Sequence, residues 1–562
     1  MPQEHRHRVT DNAPVYKNGS TLLPPLNDDC ISIILSMLDK PDLAVLSATS
    51  RLATPYAWPC LVRSLNVARS AGSQFINRDI CSFVFKHALG PYIEVLRMTP
   101  SPRPKMLWSD VSEALSRPGI NESLHQVVKV IESATNLHSF RIDACHLGYF
   151  ERESRILTAL QQCSRLRKLQ LTGLGKTDVD ALLANPIPNL RCLELSISGI
   201  MDVEPVFGAV SFSAQTLEEL SVSYIPLIAF GVPDVGRGNI IATCPRLQRL
   251  SLHNIAVETH DISRACPNLQ HLMMNTWDYA LPPFTLPTSS GRDLTFCDSF
   301  PELRSIAGHT ILMALPLHSR LQRLHIDQNL KSQGLFEKTL KVLKCSPLTS
   351  VSLHIRVRSP AEKLPRARAA RGDRPFTTSY VISAVADCIP HAQFLEISFS
   401  WGRFRPKREN GFSPEACFEW GLTSESACSP LAALSDLQFM SFTVPGPRDE
   451  DDDKVPNMQG IAQTLLHTLP NTKYLSLRSR GFYKHRLCFR RNTNHSTHSD
   501  DAHRDLDSEN CGSQSTDATV PSPAGACSVV EVATNEAHSA YQQYSWQATG
   551  LQGWCNGGHE WQ

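Results

Sequence analysis

A short apolar frame recurs along this chain of 562 residues and limits what it can fold into: leucine, leucine again three residues on, and an apolar residue two further. Clean copies are Leu166-x-x-Leu169-x-Leu171, Leu190-x-x-Leu193-x-Leu195, Leu247-x-x-Leu250-x-Leu252 and Leu269-x-x-Leu272-x-Met274. Looser ones start at Leu137, Leu217, Leu321, Leu348 and Leu437, with a last at Leu475-x-Leu477. The alternation Leu169-Gln170-Leu171 has period two, which predicts a short strand with one buried face. The segments between copies carry helical spacing instead, as at Ile156, Leu157, Leu160 and Cys163. Pro245 and Pro267, just after Cys244 and Cys266, are expected to stop such helices, because proline cannot continue the hydrogen-bond ladder. A unit of one strand and one helix cannot bury its apolar face alone. Neighbours must stack, and the predicted fold class is an α/β solenoid with a parallel sheet on its concave side.

Neighbouring copies cluster at spacings of about 20–29 residues, the period of leucine-rich repeats. The reading is a horseshoe of roughly nine to thirteen repeats over residues 68–480, the larger gaps being taken as insertions. Two insertions are charged. One is basic, at about 356–376, with Arg356, Arg358, Lys363, Arg366, Arg368, Arg371 and Arg374; the other, 445–456, is acidic through Asp449 to Asp453. Both read as solvated loops, the basic one suited to an acidic or phosphorylated partner. Residues 1–20 and 481–562 are expected to be largely disordered, since Asn492 to Ala526 is polar with few large apolar residues. Trp546, Trp554 and Trp561 are unusual in such a tail, and docking onto the solenoid is the one reading they suggest.

Charge excludes some functions. With 55 Lys and Arg against 54 Asp and Glu, no net field steers the chain to nucleic acid or an anionic membrane, so neither is an expected partner. No stretch approaches the roughly 18 consecutive apolar residues of a membrane span, and the start lacks a secretory apolar region. The 17 cysteines form no Cys-x-x-Cys pair, and reduced thiols with a cytoplasmic or nuclear location are expected. Cys163, Cys244, Cys266 and Cys345, each three residues before a repeat leucine, read as small hydrophobes at helix ends. Gly173-Leu174-Gly175-Lys176-Thr177 resembles a phosphate loop, but Gln170 stands where its first glycine is required. No nucleophile elbow or His-Glu-x-x-His motif is present, so neither an enzyme nor a cofactor is expected.

Residues 21–67 break the repeat rhythm. Pro24 and Pro25 stiffen an entry, Asn27 and Asp28 offer caps, and Ile31, Ile34, Leu35 and Leu38 form one helical face. A second helix runs from Leu43 to Ser50, and a third segment leads to Trp58-Pro59-Cys60-Leu61. Three short helices make a marginal core, which is expected to complete itself on a partner.

Leu23-Pro24-x-Leu26, Ile33-Ile34-x-x-x-Leu38, Pro41-x-Leu43, Leu46-x-x-x-Ser50-Arg51 and Pro59-x-Leu61 resemble the F-box, the motif that binds the adaptor Skp1. With the irregular repeats behind it, the chain resembles the F-box/leucine-rich-repeat family, particularly its divergent fungal members. Pro55 departs from the family pattern where the third helix usually continues, which implies a shortened or later helix. The resemblance implies the substrate receptor of an SCF-type ubiquitin ligase: the F-box docks on Skp1, and through it a cullin, while the repeats hold the protein substrate. It makes Leu23, Pro24, Leu26, Ile34, Leu38, Leu43 and Leu46 candidate adaptor anchors, against the plainer reading that they fill the three-helix core. Candidate substrate contacts are the residues between the repeat leucines: Lys168, Gln170, Glu194, Glu219, Arg249, His253, His271, Asn275, Arg323 and His325. Their mixed polarity suits a protein, and the histidines read as solvated rather than as metal ligands. The alternative is a repeat scaffold with a degenerate F-box and no ligase role.

Overall fold

The computed structural model describes residues 27–67, 78–98, 120–143, 149–198, 204–225, 236–237, 242–257, 259–275, 300–308, 320–330, 333–357, 378–401, 430–444, 458–479, 486–491 and 529–546. The chain divides into two compact units, Met1–Leu190 and Arg191–Gln562. The division falls inside the expected repeat array, and the three helices of residues 27–62 belong with the first strands.

The first unit opens with α1 (Asp28–Met37), α2 (Lys40–Thr49) and α3 (Thr54–Val62). Asn27 Oδ1 accepts the Cys30 N–H at 2.8 Å and Asp39 Oδ1 accepts the Asp42 N–H at 2.9 Å, so two orphan amides at helix starts are satisfied. Pro55 sits in the first turn of α3, where its missing N–H costs nothing and its fixed φ suits the helix. The third helix, expected to be shortened or to start later because of Pro55, begins at Thr54 and runs nine residues. β1 (Ser64–Asn66), α4 (Arg78–Lys86), β2 (Val95–Met98), β3 (Ser139–Ile142) and β4 (Lys168–Leu174) follow, the strands pairing in parallel in chain order. Helices Ile120–Ser133 and Arg155–Gln162 intervene, and Ile156, Leu157 and Leu160 are buried as their spacing predicts.

The second unit has the strands β5 (Cys192–Ser198), β6 (Glu219–Ile225), β7 (Gly236–Arg237), β8 (Arg249–His253), β9 (Ile255–Ala256), β10 (His271–Asn275), β11 (Ser305–Gly308), β12 (Arg323–Leu330), β13 (Ser350–Val357), β14 (Phe394–Trp401), β15 (Phe439–Val444), β16 (Tyr474–Ser479), β17 (Arg486–Arg491) and β18 (Val529–Glu531). From β5 to β16 the main strands pair in parallel in chain order; β7 and β9 form a small separate pair. This is a solenoid-like α/β arrangement. Among the described residues the main sheet has four parallel strands in the first unit and ten in the second, the long gaps read as insertions also holding β11 and β14.

Register explains the frame. Leu220, Leu250, Leu272, Ile306, Leu324, Val351, Leu395, Met440 and Leu475 are successive partners, all buried, with Val222, Leu252 and Met274 in the row two residues on. Each fully buried side chain of this size contributes about 1.5–3 kcal/mol, gained only because the next unit covers it. Gly308 holds φ +123° against the Met274 carbonyl, where a Cβ would lie 2.0 Å from that oxygen, so only glycine fits. A second ladder ties successive strands within each compact unit at the turns that precede them. Asn136 Nδ2 donates to Pro91 O, Asn268 Nδ2 to Pro245 O and Asn471 Nδ2 to Ser435 O, each at 2.7 Å. Every one of these reaches the equivalent carbonyl one strand back.

The parallel run ends at β16. β17 turns antiparallel to it and β18 antiparallel to β17, after which helix Thr534–Trp546 begins. The disorder expected from residue 481 is thus corrected for 486–491 and 529–546, which are strand and helix. Cys244 and Cys266 are buried as expected, while Cys345 is exposed at the end of its helix.

Candidate protein-interaction surfaces

Two surfaces collect most of the candidate residues, the three-helix module of the first unit and the strand face of the second. The first is the three-helix module. Leu35, Leu43 and Ala57 form its small core, with Ile31, Leu38, Leu46, Cys60 and Leu61 packed partly against it. Leu35 and Leu43, the large buried side chains of this cluster, are too few to secure three helices. Part of the deficit is met from within the chain. Trp58 packs edge-on against Phe83 of α4, ring centroids 5.0 Å apart, and lies 4.2 Å from the His87 ring. Lys40 Nζ donates to the Ser64 carbonyl of β1, and burial there, with Arg97 nearby, lowers the ammonium pKa. Thr54 Oγ1 donates to Ser47 O at 3.0 Å, tying α3 to α2.

The rest of the module is bare. On α1 Ile33, Ile34 and Met37 are 57 %, 43 % and 79 % exposed and share one helical face by their three- and four-residue offsets. Val45 on α2, Leu52 and Tyr56 are also exposed. Soluble chains seldom leave so many large apolar groups on about 30 residues without a partner to cover them. The seven sequence candidates separate accordingly. Leu23, Pro24 and Leu26 lie outside the described residues. Leu43, 4 % exposed, fills the module's own core, as the plainer reading held, and Leu38 and Leu46 are half-buried against it. Ile34 remains a surface group. Ile33, Met37, Val45, Leu52 and Tyr56 had not been singled out as anchors, although the α1 pair is legible as the flank of the Ile31–Leu38 stripe.

The second surface lies on the strand face away from the leucines. Lys168 and Gln170, on β4 of the first unit, are half-buried. In the second unit Glu219, Arg249, His271, Ser305, Arg323, Ser350, Phe394, Phe439 and Tyr474 are successive register partners across the sheet. Two residues further on the row reads Ser221, Ser251, Met273, Ala307, His325, Ser352, Glu396, Ser441 and Ser476. Glu194, Glu219, His253 and Asn275 are half-buried, and Arg249 Nη1 meets Glu219 Oε1 at 2.5 Å. His271, Arg323 and His325 are buried, which for the two histidines corrects the reading as solvated groups. Burial foremost, then the charges of Arg323, Arg249 and His325, lowers the His271 pKa far below its ordinary value, so this imidazole is neutral. Among the described residues no group of three or more His, Cys, Asp or Glu is placed to hold a metal.

Beyond Ser350 the face turns aromatic and is covered. Helix Thr534–Trp546 lays Ala540, Tyr541 and Tyr544 on Phe394 and Phe439, with Tyr474 alongside. Tyr541 stands edge-on to Phe394 and Phe439, at centroid distances of 5.2 and 5.8 Å. Beneath it Glu396, a carboxylate inside the packing, accepts from Tyr541 Oη at 3.0 Å, Ser352 Oγ at 2.9 Å and Ser441 Oγ at 3.3 Å. Sequence reasoning passed over Glu396; its signal is a lone acid between apolar residues in Phe394-Leu395-Glu396-Ile397.

Among the described residues no helix is long and apolar enough to cross a membrane. Comparison with protein-family models gives no match for the chain, and comparison with curated proteins gives none.

Proposed function

We propose that this chain is the substrate-recognition subunit of an SCF-type ubiquitin ligase, its F-box-like module docking on a Skp1-like adaptor and its leucine-rich-repeat array holding the protein to be ubiquitylated. The observation that supports this best is the apolar face of α1, where Ile33, Ile34 and Met37 stand in solvent beside a core too small for three helices. A helical partner would cover that face. The chain then works by proximity: holding a substrate beside a loaded conjugating enzyme raises its effective concentration, and no catalytic side chain is required here.

The test is a quantitative pull-down of purified Skp1 by the full chain. Because the three residues are exposed, the Ile33→Ala/Ile34→Ala/Met37→Ala variant keeps its fold, and its adaptor affinity is expected to fall at least about tenfold, about 1.4 kcal/mol. Undiminished binding by the variant would overturn the adaptor assignment. No binding by the parent chain would leave the repeat scaffold as the reading.

A further inference from the structure

The strand face of the second unit has an occupant of its own, and that occupant describes the ligand. Helix Thr534–Trp546 rests on β13 to β16 through one face only, with Ala537, Ala540, Tyr541 and Tyr544 buried and Thr534, Asn535, Ser539 and Gln543 exposed. Its polar links are few and specific. Tyr541 Oη donates to Glu396; Ser350 Oγ donates to the Ser545 carbonyl at 3.0 Å; and Glu536 accepts from Arg490 Nη1 at 2.9 Å and Tyr474 Oη at 3.2 Å. A free helix of this length is marginal in water, so this one persists by virtue of the groove beneath it. Segments held by so few buried side chains open at much lower free energy than the whole domain. Opening would return Glu396 to water and leave Phe394, Phe439 and Tyr474 as an aromatic strip, the kind of surface that marks a binding groove.

We propose that helix Thr534–Trp546 is a displaceable internal ligand, and that the groove it covers takes an amphipathic helix of a partner protein. The occupant sets the chemistry: a small residue and two aromatic residues at the Ala540, Tyr541 and Tyr544 positions, a phenol for Glu396, and a carboxylate at the Glu536 position for Arg490. This rests on the substrate-receptor reading and names its substrate class. The tethered helix competes at an effective concentration in the millimolar range, so an outside helix enters measurably only when the tethered one is weakened.

The experiment uses the full chain and a fluorescent peptide of residues 534–546. The Tyr541→Ala/Tyr544→Ala chain is expected to bind the peptide at least tenfold tighter than the parent chain does. A peptide carrying Tyr541→Phe is expected to bind that chain about tenfold weaker, having lost its bond to Glu396. A folded double variant that takes up no peptide overturns the proposal. If the double variant does not fold, amide hydrogen exchange on the parent chain decides instead. Exchange of residues 534–546 well ahead of β13 to β16 supports displacement, and exchange in step with those strands overturns it. Skp1 capture by the same preparations reports separately on the adaptor reading.

Discussion

Asp178 shows how one residue couples local geometry to solution behaviour. It sits in the first turn of helix Lys176–Ala184 and accepts the Gly175 N–H at 2.9 Å, closing the turn after β4 that resembles a phosphate loop. Burial pushes its pKa from 3.8 up to about 6, the Gly175 bond opposing and Glu151 adding to the rise. The native chain therefore holds this proton more tightly than the unfolded one. Between pH 3.8 and about 6 the folded state binds more protons, so this group's contribution falls as pH rises through that window and is fully favourable only below it. Asp178→Asn keeps an acceptor for Gly175 and cannot ionise. Its melting temperature is expected to exceed the parent's at pH 7.5, with the difference shrinking toward pH 4; parallel profiles for the two proteins would refute this. The sequence displays the turn through its glycines, but it cannot display the burial that makes this carboxylate costly.

At the scale of elements, legibility follows the identity of the apolar residue. Strands introduced by leucine were found, from Leu137 to Leu475. Those with another frame were not: β2 follows Ile93-x-x-Leu96-x-Met98, β14 follows Ala392-x-x-Leu395-x-Ile397, and β11, though its frame opens on Leu303, carries Gly308 where the last apolar residue belongs. Burial in a stacked strand selects for size and shape, not for leucine, and at Gly308 the neighbouring backbone excludes any side chain. The helical module was legible from its caps and stripe, whereas its dependence on α4 was not, since Trp58 and Phe83 are far apart in sequence. That dependence is measurable. Trp58→Ala in the full chain is expected to cost about 2–3 kcal/mol, less than a fully buried tryptophan because this one is half-buried. A peptide of residues 21–67 is expected to show much less helix by circular dichroism than the same residues contribute in the intact protein. A fully helical peptide would mean that the contact with α4 is incidental.

For the molecule as a whole, composition predicts a largely disordered tail, with few large apolar residues from 492 to 526. What composition averages away is a short amphipathic segment: Tyr541 and Tyr544 are diluted among Gln, Ser and His, and their value comes only from Phe394, Phe439 and Glu396, far upstream. Shortening the chain to end at residue 528 removes β18 and this helix together. Such a protein is expected to bind a hydrophobic dye strongly and to unfold several degrees lower in its second unit, while its Skp1 binding stays unchanged. Unaltered dye binding would contradict the packing described for these strands.

The reversal of direction after β16 bears on how such an array can change length. An ending of parallel strands would offer its last backbone to any extended chain that came near, whereas here Arg486–Arg491 takes that backbone up and leaves only three residues of β18 at the rim. New units can be spliced in ahead of Tyr474 without disturbing this seal. Beyond it, among the described residues, an added strand would meet only the short edge of β18.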